Sequence, residues 1–286
     1  MSIEPQSSVN DVTLGSFFHA IELDVTDVGR YADAFDRLRR GELQGVIVHN
    51  VYETAMLENI VMRLESHDPP FIKTWFPEVF RSWFYGCNLN LTHPDLTDYF
   101  REVPQFHRQL DELFPSPMGL MTHLTRILEK LDHDRPFVAA PGVRSGEQYM
   151  FTTIRAHMEG GFIPPHCDNE QALRPSYHHL LTLIEPHIMS FVLAFSIPES
   201  GGGLEVFNHR AEPLANILMN DDNRPARPDI NQLDSVCIRL PPGTMIILDS
   251  GRYLHRLSPV EGARKRWNAC SFWALSRDRS KNYCWG

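Results

Sequence analysis

In the stretch PPHCDNE, His166 and Asp168 stand two residues apart behind a pair of prolines, and a second histidine, His255, lies far downstream in SGRYLHRLSPV. A His-x-Asp pair alone is common by chance. Two imidazoles and one carboxylate gathered on one ion have a definite use. They take one face of a metal and leave the opposite face open, the facial triad of non-haem iron(II) oxygenases. Imidazole suits borderline Fe(II), the carboxylate offsets part of its charge, and the vacant positions accept a chelating co-substrate and O2. A structural zinc site would close a fourth position, and no Cys pair stands ready to do that. Shortly after His255 comes Arg266, at the head of RWNACSFWAL. A keto acid such as 2-oxoglutarate needs a fixed cation for its distal carboxylate, and a guanidinium binds one through two parallel hydrogen bonds. Period-two alternation puts Arg266, Asn268, Cys270 and Phe272 on one strand face. Arg264 shares that parity and is the second candidate; a solvated role for both is the plainer alternative.

These residues need elements that carry distant segments to one place. From Gln148 onward, short β-type runs are separated by Gly and Pro turns: YMFTTIRAHM, GFIPPH, IMSFVLAFSI, GLEVF, SVCIRL, TMIILDS and WNACSFWAL. So many short strands predict a sandwich or rolled barrel, best an antiparallel double sheet of the jelly-roll kind. Before them, helical patterns dominate. DVGRYADAFDRLRRG predicts a helix ending at Gly41, TAMLENIVMRLES a second, and DLTDYFREVPQFHRQLDELF a third that Pro104 should bend or split. GLMTHLTRILEKL is a further amphipathic segment, and GVIVHN a short strand between the first two helices. The expected class is α+β in one domain over residues 1–286, mainly helical over about 20–147 and a β-barrel over about 148–286. Two polar stretches, Asn169 to Pro186 and His209 to Asp234, interrupt the barrel; loops of that size are often lids or substrate loops, with mere mobility as the alternative, and the first is expected to hold a short helix near Tyr177 to Thr182.

The bulk numbers set bounds. A chain of 286 residues, 42% hydrophobic and 22% charged, has ample material for a core. A net charge of −9 argues against a nucleic-acid partner, and no Lys/Arg run or long apolar stretch points to a membrane. Five cysteines, odd in number and without a Cys-x-x-Cys pair, are reduced-thiol usage. The polar, acidic start MSIEPQSSVNDV shows no signal peptide, so the expected location is cytoplasmic.

The order of these segments resembles the Fe(II)/2-oxoglutarate-dependent oxygenases. Within them it is most similar to the carrier-independent aliphatic halogenases of welwitindolinone and hapalindole-type alkaloids. The stretches that carry the likeness are GELQGVIVHNVY, PDLTDYF, TIRAHMEGGFIPPHCDN, SFVLAFSIPESGGGLEVF, PPGTMIILDSGRYLHRLSPVEG and FWALSRDRSKNYCWG, from about residue 20 to the C-terminus. The resemblance implies a double-stranded β-helix (jelly-roll, cupin-like) core with flanking N-terminal helices. It also implies Fe(II), 2-oxoglutarate and O2, a free small-molecule substrate and no carrier protein. His166 and His255 match the family's iron-binding histidines, and Arg266 its co-substrate arginine. One position departs: the halogenases have Gly, and bind chloride, where this chain has Asp168. A carboxylate there fills the halide's place, so the expected reaction is hydroxylation of an unactivated C–H. Halogenation, desaturation or cyclisation at the same site, and a non-catalytic cupin-like binding module, are the rival readings.

Further residues have candidate roles. Ser190, in an apolar strand, could hydrogen-bond a ligand of the metal, although a backbone-satisfied serine is the plain alternative. Arg155 and His157 share one face of a strand shortly before His166 and are candidates for contacts behind the ligands or to substrate. The segment RSWFYGCNLN corresponds to a substrate-lining region of the halogenases that is small and apolar near the positions of Arg81 and Asn88. The two polar residues predict a polar or anionic substrate, with Phe162 and Ile163 supplying apolar contact. His178, His179, His187 and His209 are expected at the surface, and alternation should turn Cys167 away from the metal.

Overall fold

The computed structural model describes residues 11–211 and 225–286. The first ten residues, and 212–224 of the polar stretch His209 to Asp234, lie outside the described residues. Eight strands are shared between two facing sheets, four to each. In chain order, Thr153–His157, Met189–Ala194, Met245–Leu248 and Arg266–Leu275 belong to an eleven-stranded sheet; Ile163–His166, Leu204–Arg210, Ser235–Ile238 and Tyr253–Leu257 form a four-stranded one. This is the double-stranded β-helix expected from the resemblance. The strand Tyr253–Leu257, which carries His255, is not among the β-type runs read from the sequence.

Strand Arg266–Leu275 is buried along all ten residues because both of its faces are covered. Its outer face turns Trp267, Ala269 and Trp273 toward the helices, where Trp273 packs on Phe35 with ring centroids 4.7 Å apart. Its inner face turns Arg266, Asn268 and Cys270 into the barrel. Part of the barrel interior is apolar, with Ala194, Leu204, Val206, Ile238, Ile246 and Leu248 in one cluster.

The N-terminal part is less purely helical than its patterns suggest. Gly45–His49 forms the strand expected there, and with it the unexpected strands Phe18–Asp24, Lys73–Trp75 and Ser82–Tyr85 extend the large sheet on both sides. The helix expected over Asp27 to Gly41 is divided into a 3-10 turn, Val25–Arg30, and a short helix, Ala34–Arg40, closed by Gly41 at φ 76°. Conversely, Thr97–Leu113 runs unbroken through Pro104. Burial of Tyr99, Phe100, Val103, Phe106 and Leu110 along one face outweighs the one missing backbone hydrogen bond. Helices Thr54–Glu65, Leu120–Lys130 and His178–Leu183 form where expected. Among the described residues, no helix is long and apolar enough to cross a membrane.

Candidate metal centre

His166 ends one strand of the small sheet and His255 sits in its antiparallel neighbour, directly opposite. Paired residues share a sheet face, so both imidazoles point into the barrel, ring centroids 4.2 Å apart. Each Nδ1–H donates to a carbonyl two residues earlier: His166 to Pro164 O at 2.8 Å, His255 to Tyr253 O at 3.0 Å. That fixes the tautomer and leaves both Nε2 lone pairs free for a metal.

Asp168 follows the strand, its N–H donating to Ser250 O at 2.9 Å. It is 1% exposed, with Oδ1 3.6 Å from His166 Nε2 and Oδ2 3.8 Å from His255 Nε2. One donor atom from each of the three residues lies within 4.8 Å of the others. Oδ1 accepts from Gln171 Nε2 at 3.0 Å, whereas Oδ2 is buried without a partner. A buried, unpaired carboxylate oxygen facing two free imidazole lone pairs is what a bound cation would satisfy. The donor set fits a metal held on one face, as in non-haem iron sites. Burial, helped by His255, lowers His166 to about 4, so it is neutral and ready to bind at physiological pH.

The loop after Asp168 is locked in place. Asn169 Oδ1 accepts the Ile188 N–H at 2.9 Å in a spot where a side chain on Gly251 would collide with it. Arg227 grips Glu170 through both carboxylate oxygens and donates to Pro165 O at 3.2 Å. Gln171, Ser250, Gly251 and Arg227 carry no sequence signal; only their proximity shows their part. Cys167 turns away into a cluster with Phe207 and Leu254, where burial raises its thiol.

Across from the triad, two inner-face rows of the large sheet carry nitrogen donors. In the first, Arg266 pairs with His157, which pairs with Ser82. In the second, Asn268 pairs with Arg155, which pairs with Phe84. Arg266 is buried and has no hydrogen bond or acidic partner among the described residues; burial lowers its guanidinium to about 10. His157 is 2% exposed with both ring nitrogens unpaired. Burial, with Arg266 and Arg155 close by, keeps it well below its usual range and neutral. Arg264, the alternative cation, is exposed.

Ser190 lies buried on the same inner face, opposite Phe272 and Leu248, with its hydroxyl unbonded among the described residues. Ile163 is half-buried opposite Leu257, and half-buried Phe162 meets Phe80 edge-on at 5.4 Å. Arg81 is exposed, in the left-handed region at φ 44°, its stem over Gly160. Asn88 is buried, but its Oδ1 accepts the Asn90 N–H at 2.9 Å and caps the turn Leu89–Leu91. Of the histidines expected at the surface, half-buried His187 is bonded to Asp249 at 2.6 Å, and half-buried His179 is bonded to the Tyr149 hydroxyl at 3.1 Å and stacked on its ring.

Residues 17–286 match the family described as carrier-protein-independent halogenase WelO5. No curated protein matches significantly. Among solved structures, the chain is similar to an N-substituted L-amino acid dioxygenase from Burkholderia ambifaria AMMD. That likeness has TM-score 0.56 and 14% identity, over 89% of this chain and 91% of that one. A structure of the same dioxygenase with alpha-ketoglutarate aligns with TM-score 0.53 and 12% identity over the same shares. The epimerase SnoN, solved with Fe3+, alpha-ketoglutarate and nogalamycin RO, aligns with TM-score 0.50 and 10% identity over 87% of this chain and 84% of that one. At such identities these likenesses speak for the fold alone.

Proposed function

The chain belongs to the carrier-protein-independent halogenase family, and on that premise we propose that it is an Fe(II)/2-oxoglutarate-dependent oxygenase acting as a hydroxylase. In this reading it oxidises an unactivated C–H of a free small molecule while 2-oxoglutarate becomes succinate and CO2. The observation that carries it is Asp168, whose unpaired Oδ2 lies among the imidazoles of His166 and His255. The bound iron supplies the oxidising chemistry, with O2 and the keto acid.

This chain's residues do the rest. His166 and His255 present their Nε2 atoms because their Nδ1 atoms are held by carbonyls. Asp168 adds the third donor, oriented by Gln171. Arg266 takes the distal carboxylate of 2-oxoglutarate, with neutral His157 beside it as a further donor. Arg266 is buried, so an ion pair formed there is little weakened by solvent. Asp168 also occupies the position that the halogenases leave open for chloride, and its negative charge repels a halide. Family membership is the observation in favour of the rival, a halogenase using the same site.

The test is anaerobic loading with Fe(II) and 2-oxoglutarate, then exposure to O2 with succinate measured by mass spectrometry, with and without chloride or bromide. Succinate formation dependent on iron is expected, without halogenated product from any accepted substrate. No succinate under any condition would refute the enzyme reading, and halogenated product would refute the hydroxylase one.

A further inference from the structure

Two buried arginines face the barrel interior, and the proposed co-substrate has one distal carboxylate. Arg266 takes that group in the reading above, on which this inference rests. Arg155 remains. It is 9% exposed and has no hydrogen bond or acidic partner among the described residues. Its Cζ lies 4.8 Å from the ring centroid of Phe84 and 5.5 Å from that of Phe272. Aromatic faces favour a cation but offer no acceptor to its N–H edge. Nε is buried without a partner, and so is Nδ2 of Asn268, directly opposite on the neighbouring strand. Donors therefore meet at this row with nothing to receive them, and a desolvated guanidinium left unpaired is costly.

The row faces the barrel interior across from the triad, next to the Arg266–His157 row. Charge points the same way. A divalent iron, Arg155 and Arg266 outweigh Asp168 and doubly charged 2-oxoglutarate by one positive charge. Glu170 is neutralised by Arg227. Around groups buried as deeply as Arg155, Arg266 and Asp168, water screens that excess little.

We infer that Arg155 and Asn268 form a second anion seat facing the metal across the barrel, which binds a carboxylate on the substrate and so orients it toward the metal's open face. The substrate class is a carboxylic acid with one negative charge at the oxidised end. Arg81, which the sequence suggested for this task, is exposed outside the barrel.

The probes are acetate, propionate and benzoate against their amides, with chloride and bromide as a third set. Each is titrated anaerobically into the Fe(II)–2-oxoglutarate complex, and the metal-to-ligand charge-transfer band is followed. Carboxylates should shift the band saturably, while amides and halides should not. Arg155→Gln should weaken the carboxylate effect at least about thirtyfold, and Arg155→Lys less. In Arg155→Gln the 2-oxoglutarate titration should move by less than about threefold, unlike Arg266→Gln. The seat is overturned if carboxylates and amides act alike, if no carboxylate acts, or if halides alone act. It is also overturned if Arg155→Gln impairs 2-oxoglutarate binding as much as Arg266→Gln, which would assign both arginines to the co-substrate. The contrast among probes in the native protein decides the matter even if a variant fails to fold. Absence of any charge-transfer band in the native protein is a different outcome: it removes the oxygenase reading itself, and the seat with it.

Discussion

Replacing Asp168 with glycine separates a metal ligand from a structural carboxylate. Without metal, the side chain is a buried charge with one hydrogen bond from Gln171 at 3.0 Å and an unpaired Oδ2. Its removal therefore relieves a desolvated oxygen while losing one bond, and the main cost is the freedom of glycine, about 1 kcal/mol. With metal, the protein loses one of three donors. Loss of an outer partner of a ligand already costs about 10–100-fold in affinity, so loss of the ligand itself should cost about 100-fold or more. At metal a hundred times the native Kd, the native protein gains about 2.7 kcal/mol and the variant about 0.4. The difference corresponds to roughly 5–9 °C in a domain of this size. The assay is thermal unfolding with and without Mn(II), in the presence and absence of chloride. The native protein should show the full metal-dependent rise, indifferent to chloride; Asp168→Gly should lose most of it and recover part with chloride. Equal metal-dependent rises in both proteins would refute the placement of Asp168 on the metal.

Arg266→Gln should raise the KM for 2-oxoglutarate at least about thirtyfold, while exposed Arg264→Gln should change it less than about twofold; succinate formation against 2-oxoglutarate concentration reads both. Gln171→Leu removes the donor to Asp168 Oδ1 and should weaken metal binding about 10–100-fold, measured by calorimetry with Mn(II), with secondary structure unchanged by circular dichroism. Stability should fall in mild acid. Burial lowers His107 to about 4, and its Nε2 accepts the Phe151 N–H at 3.2 Å. The unfolded chain takes up that proton near 6.5 and the folded chain resists until about 4, so acid favours unfolding across that window. This group contributes a loss of about 2 kcal/mol between pH 7 and 5. Urea unfolding at the two pH values, native against His107→Gln, measures it, and an unchanged difference would exclude His107 as the source.

The chemistry of the centre was legible because it resides in residue types at fixed chain positions. His166-x-Asp168, then His255, then Arg266 at a strand head needs no coordinates to be recognised, since only certain donors suit a metal with an open face. Alternation along RWNACSFWAL likewise placed Arg266 and Asn268 together, because a strand's period is built into its backbone. The helices Thr54–Glu65 and Leu120–Lys130 were equally plain from their apolar spacing. Where burial competes with local preference, the local pattern failed. Thr97–Leu113 continues through Pro104 because its apolar face is anchored, and strands that extend the large sheet at its edges were hidden among helical patterns.

By itself, then, the chain specified which donors exist and which neighbours along one strand share a face, since both follow from covalent order. Which cation is buried, which nitrogens lack partners and which loops are clamped required strands far apart in sequence to be laid side by side. Arg264 and Arg266 are equivalent by parity, yet only the packed barrel covers one and leaves the other in water. Arg155 and Asn268 meet for the same reason: a hydrogen bond's satisfaction is a property of three-dimensional neighbours, not of the residue that makes it.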